Sequence, residues 1–190
     1  MSELSVPSRL PAGATPEGDG IAVGGGPVRV DLWIDFLCPF CQRFELNAND
    51  LLNSLLSEHR ATLVYHPMNF LDEASTTRYS TRAAAASGCA ADAGRFVEFT
   101  HELFVGQPPE GGAGLTDQEI TEIGVKAGVG QAAFASCLGE GRYADWPTFV
   151  TARSGQAGVE GTPTVHVQGV DIEPDAESLA AAVQEAESKG

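Results

Sequence analysis

The chain has 190 residues, 43% of them apolar, and a formal net charge of -15 from 11 Lys and Arg against 26 Asp and Glu. That is enough apolar material for one domain, or one domain with a large insertion, and no run of 18 or more apolar residues offers a membrane-spanning helix. The acidic balance argues against a nucleic-acid or anionic-membrane surface, since both need clustered Lys and Arg, and reads as solubilising surface charge.

Residues 1–20 are rich in Pro, Gly, Ser and charge, with little periodicity, and read as a flexible N-terminal segment. No charged stretch followed by an apolar one opens the chain, so no signal peptide is read there. Ile21-Ala22-Val23 is a short apolar run, and Gly24-Gly25-Gly26-Pro27 a turn. Val28 to Phe36 reads as a strand buried on both faces. From about Cys41 to His59, Phe44, Leu51, Leu52, Leu55 and Leu56 recur at helical spacing, and Ala61 to Tyr65 is the next strand. Strand, helix, strand favours parallel pairing through a crossover.

Between about Ser75 and Ala157 the pattern is helical. Helices are expected at Thr81–Ala93, Arg95–Phe104, Gln131–Leu138 and Ala144–Ala157, the last interrupted near Trp146-Pro147. Another runs to about Ala127 from Thr116-Asp117-Gln118-Glu119, which has the form of a capping box. Strand character returns at Thr164–Val167, Gln168-Gly169 turns, and Val170–Ile172 follows as the second arm of a hairpin. Asp175 to Ser188 is a final helix. An α/β scaffold is thus interrupted by about 80 helical residues.

The chemistry-bearing feature is Cys38-Pro39-Phe40-Cys41 at a strand-to-helix junction. The first cysteine of such a pair lies at a helix N-terminus, where free N–H groups and the helix dipole favour a thiolate. A C-x-x-C is also half of many zinc sites, but no second pair stands at matching spacing, so no metal is expected. A purely structural bridge is disfavoured because so short a loop is strained and easily reduced. Cys89 and Cys137 have no partner close in sequence, and are either bridged or two buried thiols. Gly161-Thr162-Pro163-Thr164 precedes the late strand, and a proline there suits a turn of cis geometry.

Phe36-Leu37-Cys38-Pro39-Phe40-Cys41 after the first long strand, Tyr65-His66-Pro67-Met68-Asn69-Phe70-Leu71 after the second, and Gly161-Thr162-Pro163-Thr164-Val165 before the hairpin together resemble the DsbA-like branch of the thioredoxin superfamily, over about residues 21–188. The resemblance implies an α/β class, a thioredoxin fold formed by 21–74 and 158–190 with an inserted α-helical domain at 75–157. It implies that Cys38 is the exposed nucleophile, Cys41 the buried resolving thiol, and Pro163 a cis proline facing them. Thr162 would pair its backbone with an extended substrate by β-augmentation. Phe40, between the cysteines, is expected exposed, with Leu37 and Met68 nearby to form an apolar patch for unfolded chains. By the same resemblance to actinobacterial-type relatives, Cys89 and Cys137 form a structural disulfide, which places the protein in an oxidising compartment.

Two tuning groups of the family are missing. Phe40 stands where the best-known relatives have His, and Leu32 stands where many thioredoxin-fold proteins carry a buried acid. Each pKa unit taken from Cys38 favours the reduced form by about 1.4 kcal/mol, roughly 30 mV for two electrons. A weaker oxidant than the strongest relatives is therefore expected. Asp35, three residues before Cys38, is the nearest acid, read as structural ahead of a proton-transfer role. Trp33, Trp146 and His66 read as packing residues, and His59, His101 and His166 as incidental.

The function read from this is a thiol:disulfide oxidoreductase forming disulfides in cysteine-containing, unfolded exported proteins. It would need no cofactor and be reoxidised by a membrane quinone-linked redox partner. An extracytoplasmic site is favoured, a cytoplasmic one being the rival, and a monomer is expected. The alternatives are a reductase or cytosolic redox protein, and a peptide-binding module whose dithiol does not turn over.

Overall fold

The computed structural model describes residues 6–190. Five strands, β1 (Ile21–Gly24), β2 (Val28–Ile34), β3 (Ala61–Pro67), β4 (Thr164–Val167) and β5 (Val170–Ile172), form one sheet in the order β1-β3-β2-β4-β5. β2 and β3 run parallel, joined by helix α1 (Pro39–Ser57), and the other three pairings are antiparallel. Between β3 and β4 come five helices: α2 (Tyr79–Asp92), α3 (Phe96–Val105), α4 (Asp117–Lys126), α5 (Gln131–Gly139) and α6 (Trp146–Gln156). Helix α7 (Ala176–Lys189) closes the chain. This is a mixed α/β thioredoxin fold carrying a helical insertion.

Local sequence explains most boundaries. Thr116 accepts the Glu119 N–H and the Glu119 carboxylate accepts the Thr116 N–H, completing the capping box that opens α4. Gln168 and Gly169 both have positive φ, 51° and 80°, the pair of conformations that a two-residue hairpin turn requires. Pro147 falls in the first turn of α6, where a missing N–H costs nothing. It starts that helix, and the expected interruption within 144–157 is not there. Ile21–Gly24 is short for a strand, yet it pairs with the free edge of β3, Ile21 opposite Tyr65.

Side chains alternate across β2 and β3, so the register partners Leu32 and Tyr65 share one face and Trp33 and His66 the other. Tyr65 packs edge-on against Phe96 of α3. On the opposite face the His66 ring stacks on Trp33, centroids 4.5 Å apart, and its Nε2 lies 3.0 Å from Asp31.

The expectation of a flexible segment over 1–20 fails for residues 6–20; residues 1–5 lie outside the described range. The His66 Nδ1–H donates to the Asp19 carbonyl at 2.6 Å, and the Trp146 indole N–H to the Gly18 carbonyl at 2.9 Å. Pro11 and Thr15 are buried, and the Ala12 N–H reaches the Asp92 carboxylate. A Cβ on Gly20 would lie 2.8 Å from His66 Nδ1, so only glycine lets the chain pass so close. Composition signalled the lack of regular structure correctly, but irregular backbone can still be pinned by side chains reaching it from elsewhere in the fold.

Candidate active site

Cys38 is the N-cap of α1 and Pro39 opens the helix, so the first free donors are the N–H groups of Phe40 and Cys41. A hydrogen bond from Cys41 and those two N–H groups outweigh the cost of burial and lower the Cys38 thiol to about 6. Cys41 moves the opposite way: burial first, then the charge of Cys38, hold its thiol well above the usual range. The two thiols therefore differ in kind, one mostly thiolate at neutral pH and the other protonated. Cys38 is less open than its expected role suggested, with 4% of its surface exposed, against 0% for Cys41.

The Thr162–Pro163 peptide is cis, and Cys38 Sγ lies 3.4 Å from the Thr162 carbonyl oxygen, 124 residues away in the chain. The sheet makes this meeting possible. β4 pairs with β2, Trp33 opposite Thr164, which brings the turn before β4 level with the turn after β2.

The helices after β3 also hold the cysteine turn. The Gln107 side-chain amide donates to both the Phe36 and Cys38 carbonyls at 3.0 Å, and Gln42 of α1 donates to the Phe104 carbonyl at 2.8 Å. Asp35 is fully buried, with Oδ1 accepting from Leu37 N–H and the Ser80 hydroxyl and Oδ2 from Leu71 N–H. Nothing in the sequence marks Gln107 or Ser80, because each acts on a segment some 40 to 70 residues distant.

Phe40 is 58% exposed, with the Arg43 guanidinium 5.1 Å from its ring centre. The expected apolar patch with Leu37 and Met68 is not formed, because those two are 0% and 1% exposed and belong to the core beneath the site. The exposed apolar side chains on segments tied to the cysteine turn are instead Phe70, next to the Leu71 N–H that bonds Asp35, and Val105, two residues before Gln107. Among the described residues no three His, Cys, Asp or Glu side chains converge as a metal site, and no helix is long and apolar enough to cross a membrane.

Glu45 lies one helical turn beyond Cys41 on the same buried face of α1, 2% exposed, and its Oε2 has no hydrogen-bond partner. Burial pushes this carboxyl up to about 7. The unfolded chain ionises it near 4.5. Between those values the folded state holds more protons than the unfolded one, so stability falls as pH rises through the window. Glu45→Gln is expected to flatten this fall and to be more stable than the parent at pH 8 by about 2 kcal/mol, measured by urea unfolding across pH. Parallel stability curves for parent and variant would contradict it.

Cys89 of α2 and Cys137 of α5 form a disulfide, their Cα atoms 6.0 Å apart.

The chain is similar, in sequence and in fold, to several known proteins. Its residues 21–185 match the sequence profile of the family described as Thioredoxin. The reduced form of the disulfide bond oxidoreductase DsbG from Mycobacterium tuberculosis superposes with a TM-score of 0.78 at 31% identity, over 90% of this chain and 88% of that one. Oxidised DsbA of the same organism gives 0.76 at 30% identity, over 88% and 92%. MdbA, a thiol-disulfide oxidoreductase from Actinomyces oris, shares the fold with a TM-score of 0.76 at 19% identity. A curated relative, the serine/threonine-protein kinase PknE of Mycobacterium tuberculosis, is 33% identical over 132 residues; the match takes in 65% of this chain but only 23% of that protein's length. With the profile spanning most of the chain and two solved oxidoreductases aligned along nearly their whole length, the chain belongs to the thioredoxin family and is a DsbA-like protein-disulfide oxidoreductase.

Proposed function

We propose that the protein is an oxidase that introduces disulfides into cysteine-containing, unfolded exported proteins through the Cys38–Cys41 couple. The observation that carries this reading is the placement of the two sulfurs: Cys38 caps α1 beside the Cys41 thiol and the free N–H groups of Phe40 and Cys41, which lowers its thiol, while Cys41 is fully buried behind it, which raises its own. A thiolate stabilised in the dithiol form makes the disulfide form a stronger oxidant, by roughly 30 mV for each pKa unit. In the forward reaction a substrate thiolate attacks Cys38 Sγ, the Cys38–Cys41 bond breaks, and its electron pair leaves on Cys41, which takes a proton. The substrate's second thiolate then attacks its own sulfur in the mixed disulfide and expels Cys38 as the thiolate. Two electrons pass from substrate to protein, and the substrate disulfide is the product.

In this reading residues 21–74 and 158–190 carry the chemistry, and 75–157 form an insert that braces it. Thr162 and Pro163 offer the backbone along which an extended substrate lies, and the exposed ring of Phe40 meets its apolar side chains. A membrane redox partner takes up the two electrons and restores the disulfide. The cell envelope or exterior suits both the substrates and the Cys89–Cys137 bridge. The protein acts as a monomer.

The reduction potential of Cys38–Cys41 tests direction. We expect a value at or less negative than about -180 mV in a glutathione redox buffer. A value near about -270 mV would instead make the protein a reductase. Phe40 contributes no charge of its own where the strongest relatives carry His, so Phe40→His makes the couple more oxidising still.

A further inference from the structure

Asp35 touches the redox pair from both ends of its own backbone. Its N–H donates to Cys41 Sγ at 3.5 Å, and its carbonyl accepts the Cys38 N–H at 3.0 Å. Its fully buried carboxyl joins three separate segments. Oδ1 takes the Leu37 N–H of the cysteine turn at 2.9 Å and the Ser80 hydroxyl of α2 at 2.7 Å, and Oδ2 takes the Leu71 N–H after β3 at 2.9 Å. The donors fix its orientation, yet none of them brings a positive charge. Arg78 and Arg82, the cations of α2, are held by Asp72 and Asp117. The titratable groups around the carboxyl are Cys38 at the cap of α1, Cys41 of α1 and Tyr79 of α2, all of them acids. A buried carboxylate facing a thiolate with no cation between them is a like-charge pair in a poorly solvated place.

We propose that Asp35 is a positioning and charge-setting residue for the Cys38–Cys41 couple, whose carboxyl fixes the cysteine turn and takes up a proton when reduction creates the Cys38 thiolate. Burial pushes this carboxyl up to about 6, with the negative charge of Cys38 adding to the rise. In the disulfide form that charge is gone and the carboxyl ionises more readily. Reduction by a dithiol therefore breaks the Cys38–Cys41 bond, adds two electrons, places one proton on Cys41, and divides a further fractional proton between Asp35 and Cys38. The two titrate as a coupled pair. The inference rests on Cys38–Cys41 being the redox couple, but its test needs only chemical reduction of that pair, with no turnover of a protein substrate.

The test is Asp35→Asn, which keeps the side chain's shape and an oxygen for Leu37 and Ser80 while removing the charge. Followed by ultraviolet thiolate absorbance, Cys38 of the reduced variant is expected to titrate at lower pH than in the parent, with at least a threefold higher thiolate-to-thiol ratio at pH 6. Proton uptake on reduction at pH 6 is expected to fall by a few tenths of a proton per disulfide. A merely structural role would move stability without moving either quantity. Unchanged thiolate titration and proton uptake in a folded Asp35→Asn protein would overturn the proposal. A second measurement needs no Asp35 variant. Redox-difference infrared spectra of Glu45→Gln, which lacks the other carboxyl that burial holds above its usual range, are expected to show a protonated-carboxyl band that grows on reduction near pH 6. No such band would overturn the proposal as well. A parent whose Cys38–Cys41 pair is reduced by dithiothreitol but forms no disulfides in unfolded substrates, with a shifted Cys38 titration in Asp35→Asn, would defeat the oxidase reading and leave this inference standing.

Discussion

Cys38→Ser is expected to abolish thiol–disulfide exchange, and Cys41→Ser to halt it one step later, with substrate trapped on Cys38. Cys38 is the sulfur held as a thiolate, beside the Cys41 thiol and the free N–H groups of Phe40 and Cys41. A thiolate so stabilised is the better leaving group in the forward direction and the nucleophile in the reverse one. Cys41, fully buried and held protonated, is shielded from a protein substrate. Serine at 38 leaves no sulfur within a substrate's reach. Serine at 41 leaves Cys38 able to attack a substrate disulfide, but removes the thiol that would release it. Incubated with a disulfide-bonded peptide, Cys41→Ser should accumulate a covalent adduct at Cys38, visible by mass and dissolved by dithiothreitol, while Cys38→Ser should form none. An adduct on Cys41 in the Cys38→Ser protein would reverse the assignment of roles. Full turnover by either variant would remove the pair from the mechanism.

Much of this site could be read from the chain because its parts are local. The C-x-x-C puts a cysteine at a helix start by adjacency alone, and Pro163 opens a strand whose Gln168-Gly169 turn fixes the next one. What the sequence hid is mostly reach across the fold. Gln107 sits in a Pro-rich loop with no periodic signal, yet it holds two carbonyls of the cysteine turn. Ser80 lies on an alanine-rich helix and looks like one more small residue, but its hydroxyl bonds Asp35. Leu37 and Met68 are near the cysteines and apolar, and the sequence could not say that they point inward beneath the pair. Glu45 was in principle legible, falling at the buried spacing of Cys41, Phe44, Ala48, Leu52 and Leu55 on α1. An acid in such a stripe is a signal that hydrophobic periodicity passes over.

The Cys89–Cys137 bridge should carry a large share of the protein's stability. It links α2 to α5 across 48 residues of sequence, and closing a loop of that length in the unfolded chain is worth about 4 kcal/mol in the chain-entropy account. Residual structure in the unfolded state makes that an upper figure, set against a total of about 5 to 15 kcal/mol for an ordinary domain. The double variant Cys89→Ala, Cys137→Ala is the informative one, because a single change would leave a free thiol able to exchange with Cys38. We expect it to lose about 3 to 4 kcal/mol in guanidinium unfolding and about 10 °C in melting temperature. Its reduction potential should be unchanged, since neither cysteine touches the redox pair. A loss under 1 kcal/mol would show that helix packing, and not the bridge, holds α2 against α5. A shifted potential would show that strain reaches Asp35 through Ser80, which lies on the same helix as Cys89. The expected loss also bears on where the protein works. In a reducing compartment the parent chain would forfeit the same 3 to 4 kcal/mol as its bridge opened. With the Cys38–Cys41 pair already reduced in both proteins, dithiothreitol sufficient to open the bridge should therefore lower the parent's unfolding midpoint to that of the double variant while leaving the variant's own midpoint unmoved.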